Sequence, residues 1–84
     1  MLDDLLIPED KRITIDLHDM ELLEARYHLD ILFETLPEDI MEVVVIHGYR
    51  KGQVLLNMVR KEFNHPRIKQ KVIPFNKGIT LFLV

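Results

Sequence analysis

The chain contains no cysteine in its 84 residues. Disulfides, thiolate chemistry and cysteine-built zinc sites are thereby excluded. No apolar run approaches the roughly 20 residues of a membrane span, so no membrane partner is expected. The first residues, Met1 to Pro8, have neither the basic start nor the long apolar stretch of a secretory signal. A cysteine-free chain of this kind fits a cytoplasmic protein. Negative charge is nearly absent from one half of the molecule. Residues 43–84 carry eight basic residues and one acid, Glu62, whereas residues 1–42 carry 13 acids and three basic residues. The net charge of −3 therefore hides a balance of −10 followed by one of +7. The acidic total argues against indiscriminate nucleic-acid binding, while the second half alone resembles a polyanion-binding surface. Pairing of the two halves across the fold is the alternative reading of the same pattern.

What is present is one domain with a regular rhythm. Residues 1–11 form an acidic tail or short docking segment, and residues 12–84 form the domain. Ile13, Ile15 and Leu17 alternate with Thr14, Asp16 and His18, the period of a half-buried strand. Leu22, Ala25, Leu29, Leu32 and Leu36 then recur at three- and four-residue steps, which predicts a helix over about 21–36. Asp19 or Glu21 suits its start. Residues 41–46 are almost all apolar, as in a central strand. A second helix is expected over about 53–63, with Leu55, Val59 and Phe63 on one side and Met58 beside them. His65-Pro66 ends it. A third strand over about 68–75, a turn at Asn76-Lys77-Gly78 and a last strand over 79–84 complete the order. Met20, Met41 and Met58 read as core filler.

The fold class is therefore α/β, an α+β two-layer sandwich of order βαβαββ. It has a four-stranded mixed sheet, and both helices lie on one face. The first three strands should run parallel and the fourth antiparallel to the third.

The strand-to-helix loop His47-Gly48-Tyr49-Arg50-Lys51-Gly52 is the strongest functional signal. Backbone N–H groups ahead of a helix, with two cations added, make an anion site. If the first two strands are neighbours, His18 and His47 stand at the same sheet end, where ligands of open α/β sheets gather. One histidine would then serve as general base and the other as general acid in phosphodiester cleavage, with Asp16 orienting a ring or a water. Gly48, Arg50, Lys51 and Gly52 would hold the phosphate. Tyr49 could stack on a base. Arg67, Lys69 and Lys71 either extend a phosphate track or form a solvated strand face. No cofactor is required. A divalent ion held by Asp16 and the histidines is a less favoured option, because carboxylates are scarce there.

Ile15-Asp16-Leu17-His18 resembles the L-D-L-H-G signature of the Smr (small MutS-related) domain. Residues Ile46 to Gly52 resemble its H-G-x-G-x-G loop. His65-Pro66-Arg67-Ile68, Asn76-Lys77-Gly78 and Thr80 also match positions where that family has similar residues, so the likeness spans about residues 12–84. Three positions differ. Asp19 and Arg50 stand where the motifs have glycine, and Leu55 stands where an arginine is frequent. The resemblance implies a βαβαββ sandwich similar to the C-terminal domain of translation initiation factor three. It also implies DNA or RNA as partner and, in several members, an endonuclease or nicking activity. The competing expectation is a non-catalytic interaction module, a homodimer formed through the sheet face that no helix covers.

Overall fold

The computed structural model describes residues 7–50 and 52–84. In chain order these form a 3₁₀ turn (Glu9–Lys11), strand β1 (Arg12–Asp16), helix α1 (Leu22–Glu34), strand β2 (Glu42–Ile46), helix α2, strand β3 (Gln70–Val72) and strand β4 (Ile79–Leu83). Helix α2 is α-helical over Val54–Asn57 and widens into a π turn over Met58–Glu62. Of the segment read as an acidic tail, residues 1–6 lie outside the described residues. Residues 9–11 belong to the fold: the Lys11 carbonyl accepts from the Met41 N–H, and its ammonium pairs with Asp39 at 2.9 Å.

The sheet order is β1-β2-β4-β3. Strands β1 and β2 are parallel neighbours with Ile13 opposite Val43 and Asp16 opposite Ile46. Strand β4 inserts antiparallel between β2 and β3. Strand β3 thus runs in the direction of β1 and β2 but never touches β2. The third strand is much shorter than the pattern suggests. Pro74 has no N–H to donate and fixes its own φ, so pairing stops at Val72.

Alternation decides what each strand buries. Val43, Val45, Leu17 and Phe82 point to the helix layer and are fully enclosed. Ala25, Leu29 and Phe33 of α1 meet them, as do Met58, Val59 and Phe63 at the end of α2. Phe33, Phe63 and Phe82 contact one another with ring centroids 5.4 to 6.1 Å apart, which places both helices on one face. A thickness of 18 Å accommodates one sheet and one helix layer, spaced by about 10 Å. The other face carries half-buried Val44, Ile46, Leu81 and Leu83.

Two packing expectations are corrected. Phe33, rather than Leu22, completes the buried stripe of α1, and Met41 is exposed. The second helix is not a uniform α-helix. The Phe63 N–H bonds the Met58 carbonyl five residues back, at 2.7 Å. The wider turn lets the consecutive residues Met58 and Val59 both reach the core.

Candidate functional site

Parallel pairing carries the ends of β1 and β2 to the same rim. The Leu17 N–H bonds the Ile46 carbonyl there at 2.7 Å. The chain then leaves β1 through a left-handed residue, Asp19 (φ 68°). The motif glycine is missing at this position, but the backbone shape that favours glycine is kept. Aspartate is among the side chains that tolerate it best. From β2 the chain leaves through Gly48, also left-handed (φ 72°). A Cβ there would stand 3.4 Å from the His18 Cβ, so the two loops are in contact. Gly52 has φ 113°, open space around it and a purely conformational need for glycine.

The two imidazoles are not a matched acid–base pair. His47 follows β2 on the core side and is 3% exposed. Its Nδ1 lies 2.8 Å from the Gly48 carbonyl oxygen, and its Nε2 lies 2.9 Å from Thr80 Oγ1. Thr80 Oγ1 also accepts from Arg60 Nε at 2.8 Å. With the ring neutral, one proton arrangement satisfies the chain. Arg60 donates to Thr80, the Thr80 hydroxyl donates to Nε2, and Nδ1–H donates to the Gly48 carbonyl. Burial favours the neutral ring by pushing its pKa below the ordinary 6.5. The geometry gives His47 the work of fastening the loop.

His18, by contrast, is exposed. Its Nδ1 sits 2.5 Å from Asp16 Oδ1, and its backbone N–H donates to the same oxygen at 3.1 Å. These bonds hold the Asp16 carboxyl below its usual range. A carboxylate only accepts, so Nδ1 carries a proton, which leaves Nε2 as the nitrogen that can take one up. Asp19 Oδ2 lies 3.6 Å from Nε2.

Of the described residues expected to cradle an anion before α2, Gly48 and Gly52 have their N–H groups already taken. The Gly48 N–H donates to the Gly78 carbonyl at 3.0 Å, and the Gly52 N–H turns back to the Tyr49 carbonyl at 3.4 Å. Only four α-helical residues follow before the π turn, which limits the dipole. Arg50 stays exposed on this loop, and Lys51 lies outside the described residues. Arg67 and Lys71 are not a phosphate track. Arg67 donates to the carbonyls of Leu36 and Pro37, just beyond the end of α1, at 2.9 and 3.0 Å. Lys71 projects to the helix side and donates to the carbonyls of Val59, Arg60 and Phe63, with its ammonium 5.5 Å from the Phe82 ring centre. Lys71 closes the C-terminal end of α2, where carbonyls lack helical partners, and Arg67 ties down the segment that leaves α1. Burial lowers the Lys71 pKa. Lys69 is exposed. The ion pairs Lys11–Asp39 and Arg12–Glu42, and the contacts of His18 with Asp16 and Asp19, join residues 1–42 to themselves.

Together the two rim loops and the Asn76–Gly78 turn enclose an open groove of about 800 Å³. Its walls differ. The β1–α1 side carries Asp16, His18, Asp19 and Glu21. The β2–α2 side carries Tyr49 and Arg50 over a floor of Ile46, Val54 and Leu55. Among the described residues no three His, Asp or Glu side chains converge as a metal site. None of their helices is long and apolar enough to cross a membrane.

Sequence reasoning missed Arg60 and the use of Thr80, since a hydroxyl relay through the core leaves no local pattern. It also missed Phe75, read as a strand end. Its position between Pro74 and the Asn76-Lys77-Gly78 turn is the signal that it belongs to a loop. No family model, curated protein or solved structure matches the chain.

Proposed function

We propose that this chain is a nucleic-acid-binding module of Smr type that cleaves phosphodiesters with His18. The observation that carries the reading is the polarised groove: an Asp16-held, exposed imidazole on one wall faces an aromatic and cationic wall across a space open to solvent. In this reading His18 is the general base and Asp16 fixes its tautomer. Arg50 pairs with a phosphate, joined by Lys51 next to it in sequence. His47 keeps Gly48 and its loop in place. With RNA, Nε2 takes the 2′-hydroxyl proton as O2′ attacks phosphorus. The bond to O5′ breaks, and that oxygen takes a proton from solvent. The products are a 2′,3′-cyclic phosphate and a 5′-hydroxyl. With DNA, water is the nucleophile.

The test uses labelled single-stranded, duplex and branched RNA and DNA, with and without chelator, on wild type and His18→Ala. Cleavage that vanishes in His18→Ala while binding persists supports the reading, and a contaminating nuclease would cut equally in both. Binding without turnover at any pH leaves a non-catalytic binder. A second reading, dimerisation or protein docking, is favoured by the apolar row Val44, Ile46, Leu81 and Leu83 on the uncovered sheet face. Light scattering that shows a dimer indifferent to nucleic acid would support it in place of the first.

A further inference from the structure

Phe75 is fully exposed, at 106% of the reference area, and takes no part in the core. Burying a phenylalanine is among the larger gains open to so small a chain, and this fold leaves it outside. Its place is specific. Phe75 directly precedes Asn76, which lines the groove together with Tyr49. Asn76 fixes the turn by accepting the Gly78 N–H on Oδ1 at 2.8 Å. Arg60 braces the same turn through the Ile79 carbonyl at 3.0 Å. Tyr49 leans on it as well: its Cδ1 lies 3.7 Å from where a Gly78 Cβ would stand, while 44% of the residue remains exposed. Tyr49 thus lines the groove, and Phe75 stands on the neighbouring turn, one residue outside that lining. Two exposed cations accompany them in sequence, Arg50 next to Tyr49 and Lys77 two residues after Phe75.

From this placement we infer that this lip of the groove binds single-stranded nucleic acid, with unpaired bases stacked on Phe75 and Tyr49 and the phosphates between them met by Arg50 and Lys77. The inference rests on the nucleic-acid reading above and narrows its substrate to strands whose bases are free to leave a stack. Separate aromatics with cations beside them in sequence suit a strand, in which flat bases alternate with charged phosphates. A duplex keeps its bases turned inward and offers these rings nothing to stack on. The acidic wall, with Asp16, Asp19 and Glu21, repels phosphate and confines the backbone to the opposite lip.

Fluorescence anisotropy on DNA probes of about a dozen nucleotides, a length on the scale of single-strand binding sites, separates the terms without 2′-hydroxyl chemistry. The probes are a single strand, the corresponding duplex and an abasic strand with the same phosphates. The single strand should bind tightest. Phe75→Ala should weaken it about five- to a hundredfold, the usual effect of removing one base-stacking ring. Tyr49→Ala should act in the same direction and Phe75→Trp should retain binding. Affinity for the duplex and the abasic strand should not change with Phe75→Ala. Because Phe75 is outside the core, the thermal midpoint of Phe75→Ala should match wild type. Equal affinity for all three probes, or a Phe75→Ala variant that binds the single strand like wild type, overturns the stacking lip and leaves nucleic-acid binding standing. Failure of the wild type to bind any of these probes or the same single strand made as RNA overturns both.

Discussion

Replacing Thr80 by valine keeps the shape of a fully buried side chain and deletes one hydroxyl. In the wild type that hydroxyl gives its proton to His47 Nε2 at 2.9 Å and accepts from Arg60 Nε at 2.8 Å. Without it the imidazole nitrogen is buried with no donor, which costs about 1–3 kcal/mol. Arg60 loses less, because it is half-buried and still reaches the Ile79 carbonyl. A loss of about 2 kcal/mol is expected, set against a total stability of about 4–12 kcal/mol for a domain this size. The thermal midpoint should fall by roughly 8–16 °C. Urea unfolding followed by circular dichroism should show a lower midpoint with an unchanged slope. Thr80→Ser, which keeps the hydroxyl and loses only a methyl, should cost about 1 kcal/mol. A valine variant as stable as wild type, or more stable than the serine variant, would refute the relay.

Acid should destabilise the protein in two separate windows. His47 has a lowered pKa, so its contribution is complete above the unfolded value of 6.5 and declines as pH falls from there toward the folded value. The slope is at most about 1.4 kcal/mol per pH unit, and a His47→Gln variant should lack it in urea titrations at stepped pH. Asp16, also lowered, loses its contribution only as pH falls below the ordinary 3.8. The two left-handed positions should respond with opposite signs in the same unfolding assay. Gly48→Ala should cost about 1–2 kcal/mol, and Asp19→Gly should gain up to about 1 kcal/mol. Lys71→Met keeps the stem against Phe82 and removes the donor to three carbonyls, so a loss of about 1–3 kcal/mol is expected. An unchanged urea midpoint would show that water closes the end of α2 equally well.

Much of the layer architecture was legible because period-2 and period-3.6 patterns report one-sided burial directly. Ile13, Ile15 and Leu17 announced β1, and the run from Val43 to Ile46 announced a central strand. The rim that joins β1 to β2 followed from parallel pairing. What stayed hidden depends on where side chains turn after the regular elements end. The alternation of Ile13, Ile15 and Leu17 with Asp16 puts His18 on the polar side, but the unbroken apolar run Val43–Ile46 says nothing of which way His47 turns. The difference arises one residue in register: His47 continues the inward side of β2, and His18 falls past the inward Leu17. Arg67 and Lys71 looked like free cations because their acceptors are carbonyls 8 to 31 residues away. The short β3 was readable from Pro74, and the loop position of Phe75 was readable from the turn after it.

The π turn at Met58–Glu62 has a consequence for how this chain tolerates change in length. Such a turn is geometrically an α-helix with one residue too many. Removing residue 61 or 62 would let the backbone relax to ordinary winding, with the Phe63 N–H still bonded to the Met58 carbonyl, now four residues back. Phe63 would keep its place among the three rings, and Arg60, which precedes the cut, would keep its reach to β4. A single-codon deletion there should therefore be better tolerated than one in the regular turns of α1, where every later side chain would swing by about 100° around the axis.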